Sequence, residues 1–152
     1  MGPFLATSDG YVSRELIEWC KQFARGGAGI VTMGNSSVIQ PVRPGAGYSI
    51  HVGHDKSINP LNRFADVVQR YGAKASIQLN YHNTCPPTEM KTSEIEAIIE
   101  SFAEAAYRCL KAGLDMIQVH GAHGHLLSQF LTPKTNARTD EYGGSLENRA
   151  NF

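Results

Sequence analysis

Ser93-Glu94-Ile95-Glu96-Ala97-Ile98-Ile99-Glu100-Ser101-Phe102, running on through Ala105, Ala106, Cys109 and Leu110 to Gly113 and Met116-Ile117-Gln118-Val119, decides the fold. Ser93 with Glu96 reads as a capping box, in which hydroxyl and carboxylate reciprocally satisfy two backbone N–H groups. Ile95, Ile98, Ile99, Phe102, Ala105, Ala106, Cys109 and Leu110 recur at three- and four-residue spacing, so they share one helical face. Gly113 stops the helix, and Met116–Val119 behind it reads as a strand. The same cycle occurs twice upstream. Ser13 caps a helix carrying Leu16, Ile17, Cys20, Phe23 and Ala24, Gly26-Gly27 ends it, and Gly29–Met33 is the strand. Asn59-Pro60 opens a second helix with the stripe Leu61, Phe64, Ala65 and Val68, Gly72 closes it, and Lys74–Leu79 is the next strand.

Three helix–glycine–strand cycles predict an α/β fold with a parallel sheet. With Pro3-Phe4-Leu5 as the stub of an earlier strand, the expected count is four. The stretches 35–58 and 132–144 read as long connections at the C-terminal ends of strands, where parallel α/β folds carry their ligands.

Composition narrows the function classes. In 152 residues, 14 Lys+Arg balance 14 Asp+Glu, which leaves no electrostatic footprint for nucleic acid and no polybasic membrane signal. No apolar run approaches the length of a membrane span, and the first residues lack the basic and apolar regions of a signal peptide. Three widely spaced cysteines (Cys20, Cys85 and Cys109) suit a reducing compartment, so a cytoplasmic protein acting on a small molecule is expected.

The densest chemical signal is His120-Gly121-Ala122-His123-Gly124-His125, which holds three of the six histidines directly after the third strand. Two readings of these imidazoles compete. They could bind a metal, as in a metal-dependent hydrolase, although no carboxylate lies nearby and no pair is set at helical spacing. Alternatively they donate hydrogen bonds to a developing oxyanion and supply a proton. Spacing alone leaves both open.

The longer stretch from Gln118 through His120, His123, His125, Thr132-Pro133, Asn136 and Arg138 to Thr139-Asp140-Glu141-Tyr142-Gly143-Gly144-Ser145 and Glu147-Asn148-Arg149 resembles the signature of the old yellow enzyme family. Met1–Phe4, Asp9–Val12, Gly26–Val31 and Ile77-Gln78-Leu79 resemble other segments of that family, in the same order. The resemblance implies a TIM (β/α)₈ barrel, bound FMN, NAD(P)H as electron donor, and hydride transfer to the activated C=C bond of an α,β-unsaturated carbonyl compound. Carried over to this chain, Gln78 meets the pyrimidine edge of the flavin, Pro3, Phe4 and Leu5 lie along its ring, and Gly34 and His120 sit beside it. His120 and His123 match the pair that grips the substrate carbonyl with two N–H donors. Tyr142 and Gly143-Gly144 read as loop-shaping residues.

Three departures from the family pattern stand out. His125 occupies the place of a tyrosine taken as proton donor, and an imidazolium can donate a proton near neutral pH. Some amine-dehydrogenase-like relatives also lack the tyrosine. The loop from Asn80 to Pro87 is short, and the cysteine-rich iron–sulfur segment is missing. A (β/α)₈ barrel takes about 250 residues, so residues 1–152 are expected to form one partial domain, the N-terminal half with about four parallel βα units. Four strands cannot close a barrel. The expected partner is a complementary half-barrel or a second copy in a homo-oligomer, and a non-catalytic half-barrel is the alternative to an oxidoreductase.

Overall fold

The computed structural model describes residues 4–39, 49–82 and 85–152. Helix α1 (Arg14–Arg25) starts where the sequence predicts, because Ser13 Oγ accepts the Leu16 N–H at 3.0 Å. Strand β1 (Ile30–Ser37) follows, then β2 (Ile50–His51), α2 (Ile58–Gln69), β3 (Lys74–Asn80), α3 (Thr92–Lys111) and β4 (Met116–Val119). The short helices α4 (Leu126–Leu131) and α5 (Leu146–Arg149) complete the described chain. Each long helix stops at a glycine with positive φ, Gly27, Gly72 or Gly113, the left-handed conformation that a Cβ disfavours.

All strand pairs are parallel, in the order β2-β1-β3-β4. Ala75, Ile77 and Leu79 of β3 and Val31 and Met33 of β1 join Leu16, Cys20, Leu61, Phe64, Val68 and Cys109 in the main core between sheet and helices. A second, smaller core gathers Met90, Ile95, Ile98, Leu126, Phe130 and Tyr142. Cys20 and Cys109 are wholly buried free thiols, pushed up to about 12 by desolvation, and are therefore inert.

Several boundaries differ from the sequence reading. The expected strand at Pro3–Leu5 is reduced to a single bridge at Leu5, and Pro3 lies outside the described residues. The fourth strand is instead β2, drawn from the stretch read as a connection. Two residues are too few to show an alternation. β1 runs on to Ser37 across a register shift between Met33 and Ser36, a stretch with little strand propensity that its pairing to β3 holds. α2 starts at Ile58, led in by a 3₁₀ turn at Asp55–Ser57, so Pro60 sits in the first turn, where its missing N–H costs nothing. α3 begins at Thr92, and the carboxylate that reaches back is Glu94, accepting the Lys91 N–H at 2.7 Å, rather than Glu96.

β4 has a neighbouring strand on one side only among the described residues, and all four of its residues are exposed. Ile117 and Val119 of β4 are left open, as are Tyr107 and Leu110 of α3. No described helix is long and apolar enough to cross a membrane.

Candidate active site

Parallel pairing sets Gln78 of β3 directly beside Gln118 of β4, on the face turned away from the helices. Gln78 Nε2 donates to Gln118 Oε1 at 2.6 Å. On β1, a Cβ built at Gly34 would come within 2.8 Å of the Gln78 Cβ, so only glycine leaves that glutamine undisturbed. These residues join Phe4, Thr32, Asn35, His120, His123 and His125 around an open cavity of about 690 Å³. Among the described residues its lining holds no Asp, Glu, Lys or Arg, and the ionisable groups there are imidazoles.

His120 continues the β4 ladder, its N–H donating to the Leu79 carbonyl at 2.9 Å. The chain then turns through His123 and Gly124, with φ of 55° and 74°. A left-handed histidine is uncommon and costs on the order of 1–3 kcal/mol. The turn brings His123 Nδ1 to 3.3 Å from His120 Nε2. The Ala122 N–H donates to His120 Nδ1 at 3.2 Å, so the His120 proton sits on Nε2 and is given to His123. His123 then carries its own proton on Nε2. The sequence reading expected two N–H donors aimed at one substrate oxygen; here one of them is used between the rings, and His123 keeps the outward donor.

His125 stacks edge-on against His120, centroids 4.5 Å apart. Burial first, then the facing His82, His120 and His123, lowers its pKa below the ordinary histidine value. Burial and His123 act the same way on His120. At neutral pH both rings are therefore mostly neutral, and the imidazolium expected at His125 is a minor form. Sequence reasoning counts Gln78 through His82 among the suggestive strand ends but gives His82 no role. Its ring lies 4.7 Å from that of His125, and Asn80 Nδ2 meets its Nε2 at 3.1 Å. The one available signal was its position just past the end of a strand.

Of the flavin-side residues, Phe4, Gly34, Gln78 and His120 line the cavity. Leu5 does not: it packs against the main core, and its carbonyl accepts the Ser13 hydroxyl. Among the described residues, no group of three or more His, Cys, Asp or Glu is placed to hold a metal ion.

Most of the signature after His125 is scaffold. Asn136 Nδ2 donates to the Phe130 and Tyr142 carbonyls at 2.8 and 2.7 Å. Arg138 Nη1 reaches the Pro87 and Met90 carbonyls, both at 2.6 Å, while Asp140 takes the rest of the guanidinium. Arg138 holds the Asp140 carboxyl below its usual range. These bonds tie residues 132–144 to the turn before α3 and seat Leu126 and Phe130, which carry the histidine loop.

A sequence profile of the NADH:flavin oxidoreductase / NADH oxidase family matches residues 81–152. Over 176 aligned positions the chain is 35% identical to an NADH oxidase of Thermoanaerobacter brockii, covering 100% of this chain and 27% of that protein. Residues 81–152 thus carry the pattern of this family, and the similarity to the NADH oxidase runs over the whole chain. An NADPH dehydrogenase of Halalkalibacterium halodurans is 34% identical over 93% of this chain and 47% of its own length. In three dimensions the old yellow enzyme of Pichia sp. AKU4542 superposes with a TM-score of 0.84 at 24% identity, over 97% of this chain and 47% of that one. That likeness establishes the fold, and the sheet is the N-terminal half of a (β/α)₈ barrel. The chain spans about a quarter to a half of the length of these curated relatives.

Proposed function

We propose that this chain forms the N-terminal half of an FMN-dependent oxidoreductase that takes electrons from NAD(P)H and reduces the activated C=C bond of an α,β-unsaturated carbonyl compound. The observation that carries the reading is the neutral cavity at the strand ends, walled by the Gln78–Gln118 amide pair on one side and the His120–His123 pair on another. The residues fit a flavin ring. Paired amides match the alternating carbonyl and N–H groups of its pyrimidine edge, and Gly34 leaves a flat approach where a side chain would displace Gln78. Among the described residues no Lys or Arg lines the cavity, so they offer no cation to the phosphate, which a barrel of this kind commonly holds with later loops.

Bound FMN, its ring held by Gln78 beside Gly34, would supply the hydride chemistry between nicotinamide and alkene. The protein's part is to orient and to stabilise. Gln78 fixes the ring edge. His123 Nε2–H faces the substrate carbonyl oxygen, where negative charge grows as the hydride arrives. His120, holding its proton towards His123 Nδ1, keeps that donor in the correct tautomer. His125, in its protonated fraction, gives the proton that the α-carbon requires.

Closure needs a second half-barrel, another part of the polypeptide or a second copy, against the open edge of β4. A polypeptide of these 152 residues alone is expected to self-associate and to bind FMN weakly. Sedimentation with a parallel flavin titration tests both. A monomer with micromolar FMN affinity would contradict the need for closure. The chemistry is tested by NAD(P)H-dependent reduction of a simple enone in the intact enzyme. No flavin-dependent turnover with any activated alkene would favour the non-catalytic alternative.

A further inference from the structure

We propose that His82 is a positioning residue of this site, holding the His125 ring edge-on to His120 from a support that Asn80 orients. The inference rests on the reading of His125 as proton donor, but its evidence is geometric. Four imidazoles form one continuous row. His82 meets His125 at 4.7 Å and 84° between ring planes, His125 meets His120 at 4.5 Å and 78°, and His120 is bonded to His123. Edge-to-face packing of this kind favours one orientation over free rotation.

Among the described residues the aromatic partners of the His125 ring are His82 and His120. His125 stands in extended backbone (φ −70°, ψ 167°) at the start of α4, next to the left-handed Gly124. A ring on such a segment samples several rotamers unless something clamps it. His120 supplies one jaw and His82 the other. Asn80, wholly buried, donates through Nδ2 to His82 Nε2, which places the His82 proton on Nδ1 and fixes the ring against β3.

The row also sets the proton affinity of its members. Among the described residues the groups that act on His125 are His82, His120 and His123, with no carboxylate among them, and desolvation acts in the same sense. A proton on His125 is therefore disfavoured most when the jaws are closed, as suits a group that should release it.

Ring-proton NMR titration of the six histidines in the intact protein tests this without reading turnover. In the unmodified protein His125 should titrate below the ordinary value and show a cross-relaxation contact to His120. His82→Phe keeps a ring in place but removes its charge, so the contact should persist and the His125 midpoint should rise slightly. His82→Ala removes the jaw; the contact should weaken and the midpoint should rise further, towards about 6.5. His51, on β2 and bonded to the Asp9 carbonyl, reports that the fold is intact. An unchanged midpoint and contact in His82→Ala would overturn the proposal. If His51 moves in that variant, His82→Phe decides, and loss of the His125–His120 contact there, with a ring still in place, overturns it. The predicted shifts, together with alkene reduction indifferent to His125, would leave the positioning role standing and remove the donor role.

Discussion

At the N-terminal ends of β3 and β4, Asp115 accepts hydrogen bonds from Lys74 Nζ and Gln69 Nε2 at 2.8 Å each and from the Ala75 N–H at 2.9 Å. At the other end of the same two strands stand Gln78, Gln118 and four imidazoles, with no Asp, Glu, Lys or Arg lining the cavity among the described residues and a left-handed histidine in the turn. The first end is saturated with opposite charges that hold strands and helix together, and it offers nothing to a ligand. The second keeps neutral donors pointed at an open cavity and carries backbone strain. The contrast separates the groups that maintain the sheet from those that act, as expected of a barrel whose chemistry sits at its C-terminal face.

The comparison breaks most readily in the cores. Phe64→Ala, in the wholly buried main core, should cost about 3–5 kcal/mol of stability by chemical denaturation. Phe130→Ala should cost about as much and, because Phe130 seats the histidine loop, should also abolish turnover in the folded fraction. Activity surviving at full rate in folded Phe130→Ala would show that the second core is not what positions the site.

His123→Ala sharpens the contrast from the other end. Loss of one oxyanion donor should lower kcat by about 10²–10³, roughly 2.7–4 kcal/mol in the barrier. Thermal stability should change little, since alanine keeps the Cβ that disfavours the φ of 55° at this position. A large fall in melting temperature would place His123 among the structural residues instead.

Asp115→Asn should do the reverse, leaving turnover alone and costing about 1 kcal/mol, the scale of an exposed ion pair. Lys74 and the other partners hold the Asp115 pKa down at about 2. A depressed carboxylate stabilises the fold fully above its unfolded value of about 3.9 and loses that contribution as pH falls through the folded one. The gap between Asp115→Asn and the parent should thus be constant above about pH 4 and close towards pH 2. A gap that does not change with pH would mean that the charge of Asp115 is irrelevant.

The smallest effect expected is on the pH profile. If His125 donates the proton, kcat falls as pH rises, and the fall begins below the ordinary histidine value because burial and three neighbouring rings lower its pKa. A profile flat between about pH 5 and 8 would assign the proton to water or another group.

Much of this was legible in the sequence because it follows from periodicity. The stripes Leu16–Cys20–Ala24 and Leu61–Phe64–Val68, each stopped by glycine, specify helices, and the short strands behind them follow. The histidine cluster announced itself by local density. What escaped depends on contacts between distant segments. β2 is two residues long and exists through its pairing with β1. His82 joins the site from the end of a different strand. Whether His120 gives its proton to a substrate or to His123 is decided by the Ala122 N–H, a backbone detail that composition cannot carry. The polar groups of the long signature from Asn136 to Tyr142 are consumed in tying loops together.

The claim that the C-terminal ends of these strands are built for a flavin rests on Gln78 more than on any other residue. Its most direct test is an FMN titration of the intact enzyme, followed by flavin absorbance, in the parent, in Gln78→Leu and in Asp115→Asn. Loss of the charge-neutral amide contact should weaken FMN binding about tenfold, since a net hydrogen bond is worth about 0.5–1.5 kcal/mol and about 1.4 kcal/mol is a factor of ten. Asp115→Asn should bind as the parent does. Equal affinity in Gln78→Leu and the parent, with an unaltered flavin band, would contradict the account.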